Sequence, residues 1–136
     1  MRTGRSLGWV STSSRTVGFT LIELLVVLAI VAVLLTLALP RYYGQLDAAK
    51  EAVLLDNLRT TRDVIGKFYG DTGRFPESLE ELVAKRYLAG VPVDPITESA
   101  TSWTIDPVPP GYKGAVYDVH STAPGTGRNG VPYAQW

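Results

Sequence analysis

The sequence predicts an α+β chain. One long amino-terminal helix, apolar in its first half and amphipathic in its second, joins a small carboxy-terminal domain with a short helix and a small antiparallel sheet. Three observations carry this reading. Residues 19–39 are overwhelmingly apolar and carry one charge, an acid, and Pro40 follows at once. Apolar residues then recur at three- and four-residue steps as far as Tyr69, the period of an α-helix. Beyond Gly70, glycines and prolines cut the chain into short runs, several rich in β-branched and aromatic residues, as in small sheets. A chain of 136 residues holds one small domain plus a helix.

The run from Phe19 to Leu39 contains a single charge, Glu23. At ~1.5 Å per residue it makes a helix about 31 Å long, the thickness of a bilayer core. A carboxylate inside such a span costs roughly 2.5–3.5 kcal/mol on insertion scales and normally has a partner and a task. The bland alternative is an ordinary anchor with a stray acid. Arg2, Arg5 and Arg15 precede the run and no acid does, which orients the amino terminus toward the cytoplasm and sends the residues after Pro40 outward. Residues 1–18 have no apolar core of their own, unlike a secretory signal, and Leu7, Trp9 and Val10 in it are expected to be unstructured.

Pro40 lacks an amide donor and is expected to kink the helix, with Gly44 weakening it further. The stripe resumes with Tyr42, Tyr43, Leu46, Ala49, Val53, Leu54, Leu58, Ile65, Phe68 and Tyr69, with a gap at Thr61. Asp47, Lys50, Glu51, Asp56, Arg59, Arg62, Asp63 and Lys67 fall on the other faces. Arg59/Asp63 and Asp63/Lys67 stand four apart and can pair. The helix is thus expected over about 19–69. Gly70-Asp71-Thr72-Gly73 ends it. A second helix is expected over about 77–86, with Pro76 at its entry, Glu77, Glu80 and Glu81 early, Lys85-Arg86 at its close, and Leu79, Leu82 and Val83 buried. The segment 87–95 reads as an extended, proline-pinned connection. Strands are expected at 102–105 and 115–120, with a last short one at 131–133.

Composition excludes several classes. The 13 basic and 13 acidic residues cancel, and loss of the first 18 residues would leave ten basic against thirteen acidic, a net of −3. That argues against a nucleic-acid surface. There is no cysteine, hence no disulfide, thiolate metal site or thiol nucleophile. Gly125-Thr126-Gly127-Arg128-Asn129-Gly130 spells G-x-G-x-x-G, but a dinucleotide site needs a following helix, and the six residues left include Pro132. His120, Asp118 and Ser121 lie close in sequence without a nucleophile elbow. No enzyme is expected. A single-span membrane enzyme using His120 or Asp118 is the remote alternative.

Gly18-Phe19-Thr20-Leu21-Ile22-Glu23-Leu24 resembles the processing and assembly signature of type IV pilins and of the pseudopilins of type II secretion. The resemblance implies a pilin fold and a chain divided into a prepilin leader (1–18), a transmembrane and assembly helix (19–39), an amphipathic helix continuing into the globular part (40–69) and a periplasmic domain (70–136). It implies a cut between Gly18 and Phe19 by prepilin peptidase, methylation at Phe19, and Glu23 as the carboxylate that pairs with a neighbour's terminal amine during assembly. Asp71-Thr72-Gly73-Arg74-Phe75-Pro76, Tyr87-Leu88, Val91-Pro92-Val93-Asp94-Pro95 and Tyr117-Asp118-Val119 narrow it toward the major, G-type pseudopilin. The partners so implied are other copies in a helical filament, the peptidase, minor pseudopilins, the inner-membrane secretion platform and the membrane, with no nucleic acid. The place so implied is the inner membrane, single pass, with the amino terminus cytoplasmic and the domain periplasmic, and the periplasmic pseudopilus after assembly. A pilin or minor pilin of a surface pilus is the alternative. Many type IV pilins close this domain with a disulfide, and this chain cannot. No cofactor is expected. Major pseudopilins bind calcium in the carboxy-terminal loop, and Asp118 and Ser121 are the candidates by position, although residues 122–130 contain no acid.

Overall fold

A computed structural model describes Met1, Gly4, Gly8 and residues 17–136. The expectations for Arg2, Arg5, Leu7, Trp9, Val10 and Arg15 lie outside the described residues. The fold is α+β and pilin-like: a long helix α1 (Leu21–Thr72), a short helix α2 (Leu79–Ala84), and strands β1 (Thr104–Asp106) and β2 (Asp118–His120), followed by a 3₁₀ turn at Tyr133–Gln135. The chain divides into two compact units, 1–39 and 40–136.

The first unit is the apolar part of α1. Every residue from Val17 to Leu39 is exposed, and this helix holds the stretch, among the described residues, that is long and apolar enough to cross a membrane. Pro40 lies inside α1 rather than ending it, and its missing amide hydrogen leaves the helical ladder one bond short.

In the second unit, α1 buries Glu51, Leu54, Leu58, Thr61, Ile65 and Phe68. They meet Phe75, Leu79, Leu82, Val116, Val119 and Trp136 in one core, where each fully buried large side chain contributes about 1.5–3 kcal/mol. The expected stripe needs two corrections. Tyr42, Tyr43, Leu46 and Val53 remain exposed. Glu51, placed on an outer face by its charge, is buried, and Thr61 fills the gap in the stripe at 2% exposure. Thr61 satisfies its hydroxyl by donating to the Asn57 carbonyl at 2.7 Å, which makes it tolerable in a core. Neither Arg59–Asp63 nor Asp63–Lys67 closes. The helix pairs outward instead, Lys50 with Glu98 at 3.9 Å and Arg62 with Asp118 at 2.6 Å.

Helix α1 runs one turn further than the sequence suggests. Thr72 Oγ1 donates to the Phe68 carbonyl, and Gly73, at φ +73°, takes the left-handed position that ends it. Helix α2 is shorter than expected at both ends. Ser78 Oγ caps it by accepting from Glu81 N–H at 3.2 Å. At the other end Arg86 adopts φ +63°, with Arg86 N–H bonded to the Val83 carbonyl and Tyr87 N–H to that of Leu82. This is a Schellman closure with arginine where glycine is usual.

Strands β1 and β2 pair antiparallel, with Thr104 opposite His120, Ile105 opposite Val119 and Asp106 opposite Asp118. The first strand starts two residues later than expected. The second is shortened because Ala115 and Val116 both give their amides to the Pro76 carbonyl, at 3.0 and 2.9 Å, so this stretch is tied to the entry of α2 instead of a strand. Gly114, at φ +115°, allows the approach, since a Cβ there would run into the Phe75 carbonyl. The expected strand at 131–133 is replaced by a single bridge, Thr126 to Pro132, and the 3₁₀ turn.

Candidate functional site

The amino-terminal motif begins outside the helix. Residues 17–20 are exposed and non-helical, so Gly18 and Phe19 both precede α1. Thr20 is its cap: Glu23 N–H donates to Thr20 Oγ1 at 3.2 Å and Leu24 N–H to the Thr20 carbonyl at 3.1 Å. Thr20-Leu21-Ile22-Glu23 has the spacing of a capping box, of which the threonine half is formed. The Glu23 carboxylate makes no hydrogen bond or ion pair with the described residues. It is thus a negative charge in the first turn of an apolar helix, where the dipole favours it, with its oxygens left for a partner.

The second candidate region is a polar cluster in the domain. Asp118 Oδ1 accepts from Arg62 Nε at 2.6 Å and from Val119 N–H at 2.7 Å. Arg62 Nη2 also donates to the Val119 carbonyl at 2.9 Å and the Trp136 carbonyl at 2.6 Å. His120 Nδ1 lies 2.7 Å from the same Trp136 carbonyl, and its Nε2 lies 3.1 Å from Asp106 Oδ2 and 3.6 Å from Asp118 Oδ2. Ser121 belongs elsewhere: its hydroxyl donates to Asp94 Oδ2 and accepts from Ala123 N–H. Asp94, fully buried, also accepts from the amides of Ile96 and Thr97. The two residues suggested for calcium therefore face different partners, Asp118 an arginine and a histidine, Ser121 a buried carboxylate. Ser121 makes no bond to His120, so a serine–histidine pair is not formed.

Arg62, Asp94 and Asp106 were not singled out by the sequence reading. Arg62 sits on the helix among residues of charged-face type, and only the fold of β2 brings Asp118 to it. Glu51 is a further buried charge. Its Oε1 accepts from Arg128 N–H and from Tyr133 OH, both at 2.9 Å. Burial, then the Glu51 bond, push the Tyr133 hydroxyl above its ordinary pKa. The glycine-rich loop is likewise structural. Trp136 Nε1 donates to the Val131 carbonyl, Gly127 N–H to the same carbonyl, and a Cβ at Gly127 would strike the Trp136 ring. A three-residue 3₁₀ turn follows the loop, too short to offer a pyrophosphate a helix end.

The prokaryotic N-terminal methylation motif matches residues 18–39. No curated protein and no solved structure shows a significant match to the chain. The matched residues are those of the exposed Gly18–Phe19 junction, the Thr20 cap, Glu23 and the apolar part of α1. Together with the fold, this motif fits a type IV pilin-like precursor.

Proposed function

We propose that this chain is a structural subunit of a type II secretion pseudopilus, of the major, G-type kind. Prepilin peptidase cuts it between Gly18 and Phe19 and methylates Phe19. Before assembly it sits in the inner membrane as a single-pass protein, with residues 1–18 cytoplasmic and residues after Pro40 periplasmic. Copies then pack their apolar helices into a filament whose growth supports protein export across the outer membrane. The observation that carries this reading is the methylation motif at residues 18–39, with the Glu23 carboxylate unbonded by any of the described residues. In a dry filament core, an unpaired carboxylate is costly and a neighbour's terminal amine offsets that cost. Pro40, one hydrogen bond short, is where the helix bends or locally melts in the filament.

Minor pseudopilins and the inner-membrane platform are the remaining partners. The proline-pinned segment 91–95, held by Asn57 Nδ2 on the Val93 carbonyl and Trp103 Nε1 on the Pro92 carbonyl, both at 2.9 Å, and the absence of cysteine favour secretion over a surface pilus. A pilin or minor pilin is the second reading on the same motif.

The test is the intact mass of the chain extracted from membranes, with and without the peptidase. A product beginning at Phe19 with one added methyl group, formed only with the peptidase, supports precursor processing. A chain still beginning before Gly18 refutes it. Loss of secretion, rather than loss of surface pili, on deletion of the gene separates the first reading from the second.

A further inference from the structure

We propose that Asp106, Asp118 and His120 form a seat for one divalent transition-metal ion, with zinc the best chemical fit. The site does not depend on the assembly reading. The antiparallel register sets Asp106 directly opposite Asp118 and puts His120 on the same face of the ladder. Like charges directly opposite one another destabilise a strand pair, so this arrangement calls for a cation. Arg62 meets part of that need, but it binds Asp118 through Oδ1 and makes no bond to Asp106. The Oδ2 atoms of both aspartates face His120 Nε2, at 3.1 and 3.6 Å.

The histidine is oriented as a ligand. Nδ1 lies 2.7 Å from the Trp136 main-chain oxygen, an acceptor, and 3.4 Å from Arg62 Nη2, a donor; the tautomer that bonds the nearer atom has its proton on Nδ1. In the neutral ring Nε2 is then a lone pair aimed at two carboxylate oxygens. That tautomer sets three acceptor atoms facing one another, an arrangement a metal ion between them satisfies. An outer carbonyl holding the far nitrogen, and Arg62 and Val119 N–H holding the far oxygen of Asp118, are the supports that metal ligands characteristically have.

The dimensions fit. Bonds of about 2.0–2.2 Å put neighbouring ligand atoms roughly 3.0–3.4 Å apart around a tetrahedral or octahedral ion. All three ligand atoms here lie within 4.8 Å of one another, so small side-chain rotations close the set. Side-chain exposures of 46% for Asp106, 29% for Asp118 and 22% for His120 leave room for water in the remaining positions. One imidazole nitrogen with two carboxylate oxygens suits zinc or manganese, whereas calcium takes six to eight oxygens. A bound ion would join β1 to β2 and, through His120 and Arg62, to Trp136 and α1.

The experiment uses the full chain in detergent, stripped with EDTA and dialysed, titrated calorimetrically with zinc chloride and separately with calcium chloride. Saturable binding of one zinc per chain, with a raised melting temperature and without competition from equimolar calcium, is expected. Asp106→Asn and His120→Ala should each weaken binding at least about tenfold. Asp106 is nearly half exposed, so its variant keeps the test valid if His120→Ala unfolds. Cobalt should bind with visible absorption bands that the His120→Ala chain lacks. Absence of saturable zinc binding, zinc binding unchanged in both variants, or equal displacement by calcium would each overturn the proposal.

Discussion

Arg62→Met should loosen the domain out of proportion to its position on the helix surface. The methionine keeps much of the aliphatic stem and removes only the guanidinium. Three bonds disappear: to Asp118 Oδ1, the Val119 carbonyl and the Trp136 carbonyl. Charge-assisted hydrogen bonds are worth about 1.5–3 kcal/mol each when desolvated. The Arg62 side chain is 36% exposed, and solvent screening reduces each bond to less than 1 kcal/mol, for a total of roughly 2 kcal/mol. In a domain of about 100 residues that lowers the melting temperature by roughly 8–16 °C. Thermal unfolding of the full chain in detergent, followed by tryptophan fluorescence, reads the change, because Trp103 and Trp136 both pack on the core. Arg59→Met, an exposed neighbour, is the control and should shift the midpoint little. Arg62→Lys should restore only part of the loss, since a single ammonium cannot span the fork of acceptors. A shift in Arg62→Met no larger than that in Arg59→Met would refute the reasoning and make the cluster incidental.

Glu81 supplies a pH dependence. Its bond to Arg74, then that from Glu77 N–H, hold its carboxyl down at about 2 from an ordinary 4.5, so its folded pKa lies below its unfolded one. The stabilisation it gives is present above the unfolded value and disappears as pH falls toward 2. Glu81→Gln should therefore lower the melting temperature at pH 7 and flatten the dependence between about pH 4.5 and 2, as read by acid titration of both proteins. Gly114→Ala should cost on the order of 2–3 kcal/mol, because the new Cβ meets the Phe75 carbonyl and the residue must hold φ +115°; urea midpoints measure it. Glu23→Val should leave peptidase cleavage intact and abolish filament formation, checked by intact mass and by shearing and imaging filaments. Assembly at the normal level in that variant would remove Glu23 from the mechanism.

The long helix was legible because its apolar run and its stripe share one period, and Leu54, Leu58, Ile65 and Phe68 fall where that period puts them. The errors have separate physical causes. Thr61 reads as a gap only while its hydroxyl is counted as polar, and the bond to the Asn57 carbonyl removes that cost. Glu51 reads as solvated because its partners, Arg128 N–H and Tyr133 OH, come from the far end of the sequence. Tyr42, Tyr43 and Leu46 carry the period but no described residue covers them. The end of α2 escaped because the left-handed position is filled by Arg86, which advertises nothing of the kind. The expected strand at 115–120 shrank because Pro76, distant in sequence, claims two of its amides. The amino-terminal motif, by contrast, is contiguous in sequence with its helix, so the match over residues 18–39 needs no long-range contact to be seen. The Arg62–Asp118–His120–Asp106 cluster draws on three elements; the spacing of Asp118 and His120 was visible in the sequence, but nothing local pointed to Arg62 or Asp106.

The capped start of α1 has a consequence for the order of events in maturation. The Gly18–Phe19 bond lies before Thr20, whose hydroxyl and carbonyl take the first amides of the helix. The proposed cut there would break no rung of the ladder, because residues 17–20 are exposed and non-helical, and would require no unwinding. Precursor and product share the same helix nucleus, and nucleation is the slow, unfavourable part of making a helix. Removal of the leader, as proposed, would therefore leave the apolar helix formed, with one residue and a new amine ahead of its cap. Under the proposed function, maturation would change the charge at the tip without a refolding step.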